Sequence, residues 1–394
     1  YFLAQHQQRS PEKGYLKGSY EGLLRKIHET INRADANKEN LAPIAYETIM
    51  QIVRAAGPEE KSIVGETMRH SIQRLSHITA QTINLPTNTR MRESLYMLQK
   101  KLIGVVEACL EILGEQTAIQ YGKEIMQLLL SVLQSENKSA HQESLRTVGL
   151  LAQELGASFG PYMSIVWPSL SQALKNTNSP SEYITAVLVV SDISRALEEG
   201  IAGYCDEIVN ALLAALSSPV VQSRAKAPTL SAIGDIALAI SGNFARYAST
   251  VLTLLKQASE FRIDNSDPDA IKMRNELWEG ILTAYSGIIV GMRDSSGSDF
   301  QATFQYQVGN IVDFITVIAN AFALNKPSKS QDDVLRGAYN VIGDLAQSSP
   351  QFAVRLRLPV IEKLVEISIS MGGAYSEKTR EAAKFARSHV YGGF

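Results

Sequence analysis

Apolar residues recur at helical spacing along almost the whole chain, and short polar breaks interrupt them. The stretch from Leu230 to Gln257 shows the unit clearly. Leu230, Ile233, Ile236 with Ala237, and Ile240 recur every three or four residues, which places them on one face of a helix. Ser241-Gly242-Asn243 then breaks the pattern, and a second helix follows Phe244 and Tyr247 through Val251, Leu252, Leu254 and Leu255. Gly242 is the expected left-handed cap, since glycine takes that geometry without a Cβ clash. Two helices of this length cannot bury their apolar faces alone, so the pair should recur and stack.

It recurs. Tyrosines open successive second-type helices at Tyr121, Tyr162, Tyr204 and Tyr247, at intervals of 41, 42 and 43 residues. The first-type helices align in the same frame at VGLLAQELG from Val148, VSDISRALEEG from Val190, IGDIALAISG from Ile233 and IGDLAQSSP from Ile342. Asp192, Asp235 and Asp344 hold equivalent places in three of them. A two-helix period of roughly 40 to 47 residues is the HEAT/armadillo signature. The predicted fold is therefore all-α, an α-α superhelix of about eight HEAT-type helix pairs spanning residues 15–394, with no strand.

Residues 1–14 lack periodicity and read as a linker or disordered lead-in. Predicted helices follow over 15–33, 41–56, 61–83 and 89–113, with Pro86 between the last two. Regular pairs then cover 119–157, 159–199, 201–241, 243–293 and 303–348, and a last pair covers 351–371 and 376–391. Polar loops are expected at 262–268, 294–299 and 325–333.

Composition narrows the chemistry. The chain has 394 residues, 45% hydrophobic and 20% charged, with a net charge of −2, so no basic surface for nucleic acid is expected. The two cysteines, Cys109 and Cys205, lie in apolar helical runs and read as buried free thiols of a reducing compartment. No apolar run reaches the roughly 18 residues that span a bilayer. The start at Tyr1, without a basic-then-apolar leader, reads as a piece of a longer, non-secreted protein. Phosphate loops, HExxH, paired metal cysteines and nucleophile elbows are all missing, and His70 and His77 stand two helical turns apart, too far for one metal. Neither an enzyme nor a cofactor or metal site is expected.

What remains is a set of carboxylates on the first-type helices: Glu182, Asp192, Glu198, Glu199, Asp235, Glu276, Glu279 and Asp344. Stacked helices stand about 10 Å apart, so a repeated acid forms a ladder that suits an extended basic, preferably helical, ligand. The plainer alternative is that these acids are solvated or cap the next loop. Trp278, between Glu276 and Glu279, could stack on a Lys or Arg stem, and Phe385 offers an apolar wall. The tyrosines read first as packing between repeats, while Trp167, beside Pro168, could line a shallow groove between second-type helices.

The runs IGDIALAISGNFARY, AVLVVSDISRALEEG, AYNVIGDLAQ, RNELWEGILTAYSGIIVGM and TREAAKFARSHV resemble the C-terminal half of the importin-β (karyopherin-β1) family of nuclear import receptors, from about Tyr15 to Val390. The resemblance implies a receptor that shuttles between cytoplasm and nucleus through the nuclear pore. It implies that the basic importin-β-binding helix of importin-α, or a basic cargo, lies on the concave face against Asp192, Asp235, Glu276, Trp278, Glu279, Asp344 and Phe385. Phe385 stands where relatives carry Trp, which weakens cation stacking there. Phe-Gly repeats of nucleoporins would enter convex grooves at Leu128, Tyr162, Trp167 and Tyr204. The main site for GTP-bound Ran would lie N-terminal to this stretch. The competing reading is a HEAT-repeat scaffold subunit for complex assembly.

Overall fold

The computed structural model describes residues 18–33, 36, 41–86, 89–218, 221, 223–261, 267–293, 297–322, 329–370 and 375–392. Among them there is no strand. The chain forms two compact units, residues 1–173 and 174–394.

The first unit holds α1 (Tyr20–Ile31), α2 (Leu41–Arg54), α3 (Lys61–Asn84), α4 (Arg90–Leu113), α5 (Glu115–Leu133), α6 (His141–Leu155) and most of α7 (Met163–Lys175). First-type helices α2, α4 and α6 pack side by side, with α3 and α5 behind them. Helix α4 is central because it is apolar nearly all round: every residue from Leu102 to Leu110 is buried. Its one buried acid, Glu107, takes Arg146 from α6 at 3.2 Å. Leu85 is extended, as the residue before Pro86 must be, and Thr89 caps α4 by accepting from the Arg92 amide at 3.2 Å.

The second unit holds α8 (Pro180–Leu197), α9 (Cys205–Ser217), α10 (Ser223–Ile240), α11 (Ala245–Ser259), α12 (Pro268–Arg293), α13 (Gly297–Phe322), α14 (Lys329–Ser348), α15 (Pro350–Arg355), α16 (Pro359–Ser370) and α17 (Glu377–Tyr391). First-type helices α8, α10, α12, α14 and α17 form one row, and α11, α13 and α16 form the second. Apolar side chains fill the space between the rows. Tyr285 and Tyr339 are fully buried there, and the Tyr339 hydroxyl is satisfied by Leu364 O at 3.0 Å and Ser368 Oγ at 2.7 Å.

The expected helices are present where they can be compared, and three local expectations are corrected. Gly242 does not carry the left-handed turn; Ser241 does, at φ 51°, because a 3-10 turn over Ser241–Phe244 starts directly at the end of α10. Equivalent turns follow α6 at Gly156 (φ 52°) and α8 at Glu198 (φ 48°). Glu198 and Glu199 therefore sit on that turn (Glu198–Tyr204) rather than on α8. Finally, α13 begins at Gly297 and α14 at Lys329, inside stretches expected to be loop. The lead-in over 1–14, and residues 262–266 and 325–328, lie outside the described residues.

Cys109 and Cys205 are buried free thiols, and burial pushes the Cys205 thiol up to about 11. Among the described residues, no helix is long and apolar enough to cross a membrane and no group of His, Cys, Asp or Glu could hold a metal.

Candidate functional site

The repeated aspartate slot lies in the first-type row of the second unit. Helical phase puts Asp192 of α8 and Asp235 of α10 at matching heights on neighbouring helices, and one cation joins them. Arg195 Nη2 donates to Asp192 Oδ1 at 2.7 Å, and its Nη1 donates to Asp235 Oδ2 at 2.8 Å. Both carboxylates are half-buried, while the Arg195 side chain is 51% exposed. Asp235 also accepts from Ser191, one residue before Asp192. Burial pushes the Asp235 carboxyl upward; Arg195 and Ser191 oppose that shift, and the nearby Asp192 charge adds to it.

Asp344 holds the same slot two helix pairs further on, in α14. It is buried, and Ser286 of α12 donates to its Oδ2 at 2.6 Å. Burial raises this carboxyl too, against the pull of Ser286, Arg293 and His389. Ser191 and Ser286 thus play one role: the residue before the slot donates to the aspartate of the next repeat.

Between them the row is interrupted. The slot of α12 is Gly287, and a Cβ there would stand 2.3 Å from the Gly234 carbonyl oxygen of α10. Cβ atoms at Gly280 and Gly291 would stand 2.6 and 2.3 Å from the carbonyl oxygens of Ala227 and Ala237. No side chain fits at that seam. The ladder skips α12 for a steric reason. On the open side, a cleft of about 230 Å³ is lined by Asp235, Leu238, Ser286, Val290 and Asn340. Leu238 is 48% exposed, so the cleft offers an apolar rail beside a carboxylate, which suits the methylene stem and charged head of a Lys or Arg.

The other expected site residues do not join this group. Trp278 is buried, edge-on to Phe314 and Phe322 of α13 at 6.1 and 5.9 Å, and Arg274 of its own helix lies 4.4 Å from its ring centroid. Its cation-stacking face is already taken. Glu276 is exposed and pairs with Lys272 at 3.8 Å; Glu279 is half-buried, its carboxyl raised by burial and by Asp333. Phe385 of α17 packs on Gly343, where an added Cβ would fall 2.1 Å from the ring. That glycine makes room for the ring next to Asp344.

Leu128 of α5 and Trp167 of α7 are half-buried, as are Tyr162 and Tyr204, which end the turns just before α7 and α9. Tyr162 lies 5.7 Å from buried Phe159, and Tyr247 repeats that pairing with Phe244 at 5.6 Å. The Tyr247 hydroxyl donates to Asp206 of the preceding repeat, so this tyrosine is inter-repeat packing. Ile119 of α5 and Ile165 of α7 are far more open, at 64% and 49% exposed.

Sequence reasoning missed Arg195, Ser191, Ser286 and these isoleucines. The first three carried a signal: Arg195 stands one turn after Asp192, and Ser or Gly always precedes the slot.

Residues 2–367 match the family model described as importin subunit beta-1-like, TPR repeats. The chain belongs to the importin subunit beta-1-like family. Importin subunit beta-1 of Arabidopsis thaliana is 29% identical over 355 residues, covering 88% of this chain and 39% of the relative. The Saccharomyces cerevisiae importin subunit beta-1 is 27% identical over 373 residues, 93% of this chain and 42% of that protein. This importin-β-like chain thus spans about two-fifths of the length of the curated relatives it matches. A crystal structure of importin beta superposes with a TM-score of 0.85 at 28% identity, over 96% of this chain and 43% of that one. A Kap95:Nup1 complex gives 0.78 at 25%, over 95% and 42%. These neighbours are the helical-repeat solenoids that the hydrophobic pattern predicts. The family description names its pairs TPR repeats, whereas the tyrosine period of 41 to 43 residues exceeds the 34 of a TPR and matches HEAT pairs.

Proposed function

We propose that this chain is the adaptor-binding and nucleoporin-binding part of a nuclear import receptor. Its first-type row in the second unit takes a basic helical segment, such as the importin-β-binding helix of importin-α or a basic cargo. The observation that carries this reading is the Asp192–Asp235 pair, held in register on neighbouring helices beside the Leu238 cleft, in a chain of the importin subunit beta-1-like family. Arginine or lysine heads of a ligand helix would displace Arg195 from the two carboxylates while their stems lie along Leu238. Asp344, being buried, sets the packing of its repeat more than it meets a ligand.

The second-type helices take Phe-Gly segments of nucleoporins at Leu128, Tyr162, Trp167 and Tyr204. Exposed Ile119 and Ile165 on the same helices support that reading, as does the solved complex of a relative with Nup1.

Fluorescence anisotropy with a labelled basic helical peptide tests the first site. Affinity should fall steeply with added salt, and Asp192→Asn/Asp235→Asn should weaken it about tenfold, the loss expected for two close charge pairs. A double variant that binds like the parent removes the aspartate row as the site. Capture on Phe-Gly peptides, reduced by Ile165→Ser, tests the second.

A further inference from the structure

A second polar site lies away from the aspartate row, in the first unit. A cleft of about 370 Å³ opens where α1, α2 and α3 meet, and its ionisable lining is His28 of α1, Tyr46 of α2, and His70, Arg74 and His77 of α3. The three α3 residues are four and three apart, so they share one face of that helix, and all three are exposed. Ile31 and Asn32 complete the α1 side, and no carboxylate is among the lining residues.

The hydrogen bonds show what these groups have left to offer. His28 Nδ1 lies 2.9 Å from Leu24 O, and a carbonyl can only accept, so Nδ1 carries the proton and Nε2 is the titrating nitrogen. The His28 and His70 rings meet edge-on at 5.7 Å. Burial and the neighbouring His70 both hold His28 below the ordinary histidine range. Arg74 hydrogen-bonds the buried Tyr46 hydroxyl, which fixes the guanidinium while leaving most of its five N–H donors for another group. Three imidazoles and a guanidinium therefore line one concavity, and protonation of His28 is opposed by its burial and by His70 beside it. A bound anion would reverse that opposition, and the planar fork of Arg74 matches the paired oxygens of a sulfate or phosphate group.

We infer that this cleft binds an oxyanion of the sulfate or phosphate-ester class, held by Arg74 and by His28, His70 and His77, and that a proton is taken up with it. No metal is required: the described residues contain no grouping that could hold one.

Calorimetric titration of the whole chain with sodium sulfate separates protein protonation from ligand protonation, because sulfate keeps its charge across the range. Binding should be about tenfold tighter near pH 5.5 than near pH 7.5, as expected for one histidine proton. Arg74→Gln should abolish it, and His28→Gln should flatten its pH dependence. An unchanged melting temperature verifies that each variant keeps its fold. A serine-phosphorylated peptide and its unphosphorylated twin form the second arm. Tighter binding of the phosphopeptide than of sulfate assigns the site to a modified partner; equal binding assigns it to a free anion. No heat with either probe, binding untouched by Arg74→Gln, or equal binding of the unphosphorylated peptide would overturn the inference.

Discussion

Two neighbouring seams of the first-type row are built in opposite ways. Between α8 and α10 the joint is polar: Ser191, Asp192, Arg195 and Asp235 bridge the helices through side chains. Between α10 and α12 the backbones nearly touch, because a Cβ at Gly234, Gly280, Gly287 or Gly291 would run into the facing helix. The slot that carries aspartate in three repeats carries glycine in α12 for this reason. A charge ladder and a close backbone seam exclude each other at one position. The paired carboxylates therefore sit where side chains can project between α8 and α10, and the Leu238 cleft opens beside them over the close α10–α12 seam.

The sharpest break of this comparison is at Gly287. Gly287→Ala puts a methyl group into the Gly234 carbonyl, and backbone cannot yield as a flexible side chain would. The expected loss is about 3 kcal/mol, read as a lower chemical-denaturation midpoint. Gly309→Ala is the control: it is exposed within α13, has no neighbour within 4 Å of a new Cβ, and should gain about 0.5–1 kcal/mol from helix propensity. Equal effects at the two glycines would show that the α10–α12 approach is looser than described.

The polar seam is tested at Arg195. Arg195→Ala removes both bridging contacts, yet the guanidinium is half exposed and screened by solvent, so the stability loss should be only about 1 kcal/mol. Binding should move the other way. With the internal cation gone, a basic helical peptide should bind about threefold to tenfold tighter at low salt. A weaker complex would mean that Arg195 orients the carboxylates for the ligand instead of competing with it.

The row itself was legible in the sequence because stacking imposes a fixed period, and a period survives in one dimension. Tyr162, Tyr204 and Tyr247 reappear at the starts of second-type helices, and Asp192 and Asp235 fall side by side. What was not legible is who partners whom across a seam. Arg195 is one turn from Asp192 and could be seen as its partner, but its reach to Asp235 depends on the spacing of α8 and α10. Trp278 misled for a related reason: flanking glutamates suggested an open ring, whereas helical phase turns the indole towards Phe314 and Phe322, under Arg274. Gly242 misled because the left-handed residue lies one position earlier, where the next turn begins.

The turns that leave α8 and α10 offer the smallest and cleanest test of how far the two seams differ. Glu198 and Ser241 occupy the place that Gly156 fills after α6, and a side chain at φ 48° or 51° crowds its own backbone by about 1–2 kcal/mol. Glycine relieves that crowding but has more freedom to lose on folding, about 0.4–1 kcal/mol. Glu198→Gly and Ser241→Gly should therefore each raise stability by about 0.5–1 kcal/mol, seen as a melting temperature a few degrees higher. Each turn packs on the next first-type helix of its own seam, Glu198–Tyr204 on α10 and Ser241–Phe244 on α12. Equal gains would mean that polar and glycine-lined seams share one turn geometry and differ only in what crosses between the helices. A gain at Glu198 with a loss at Ser241 would mean instead that the close α10–α12 contact reaches into the turn itself and depends on the serine being there.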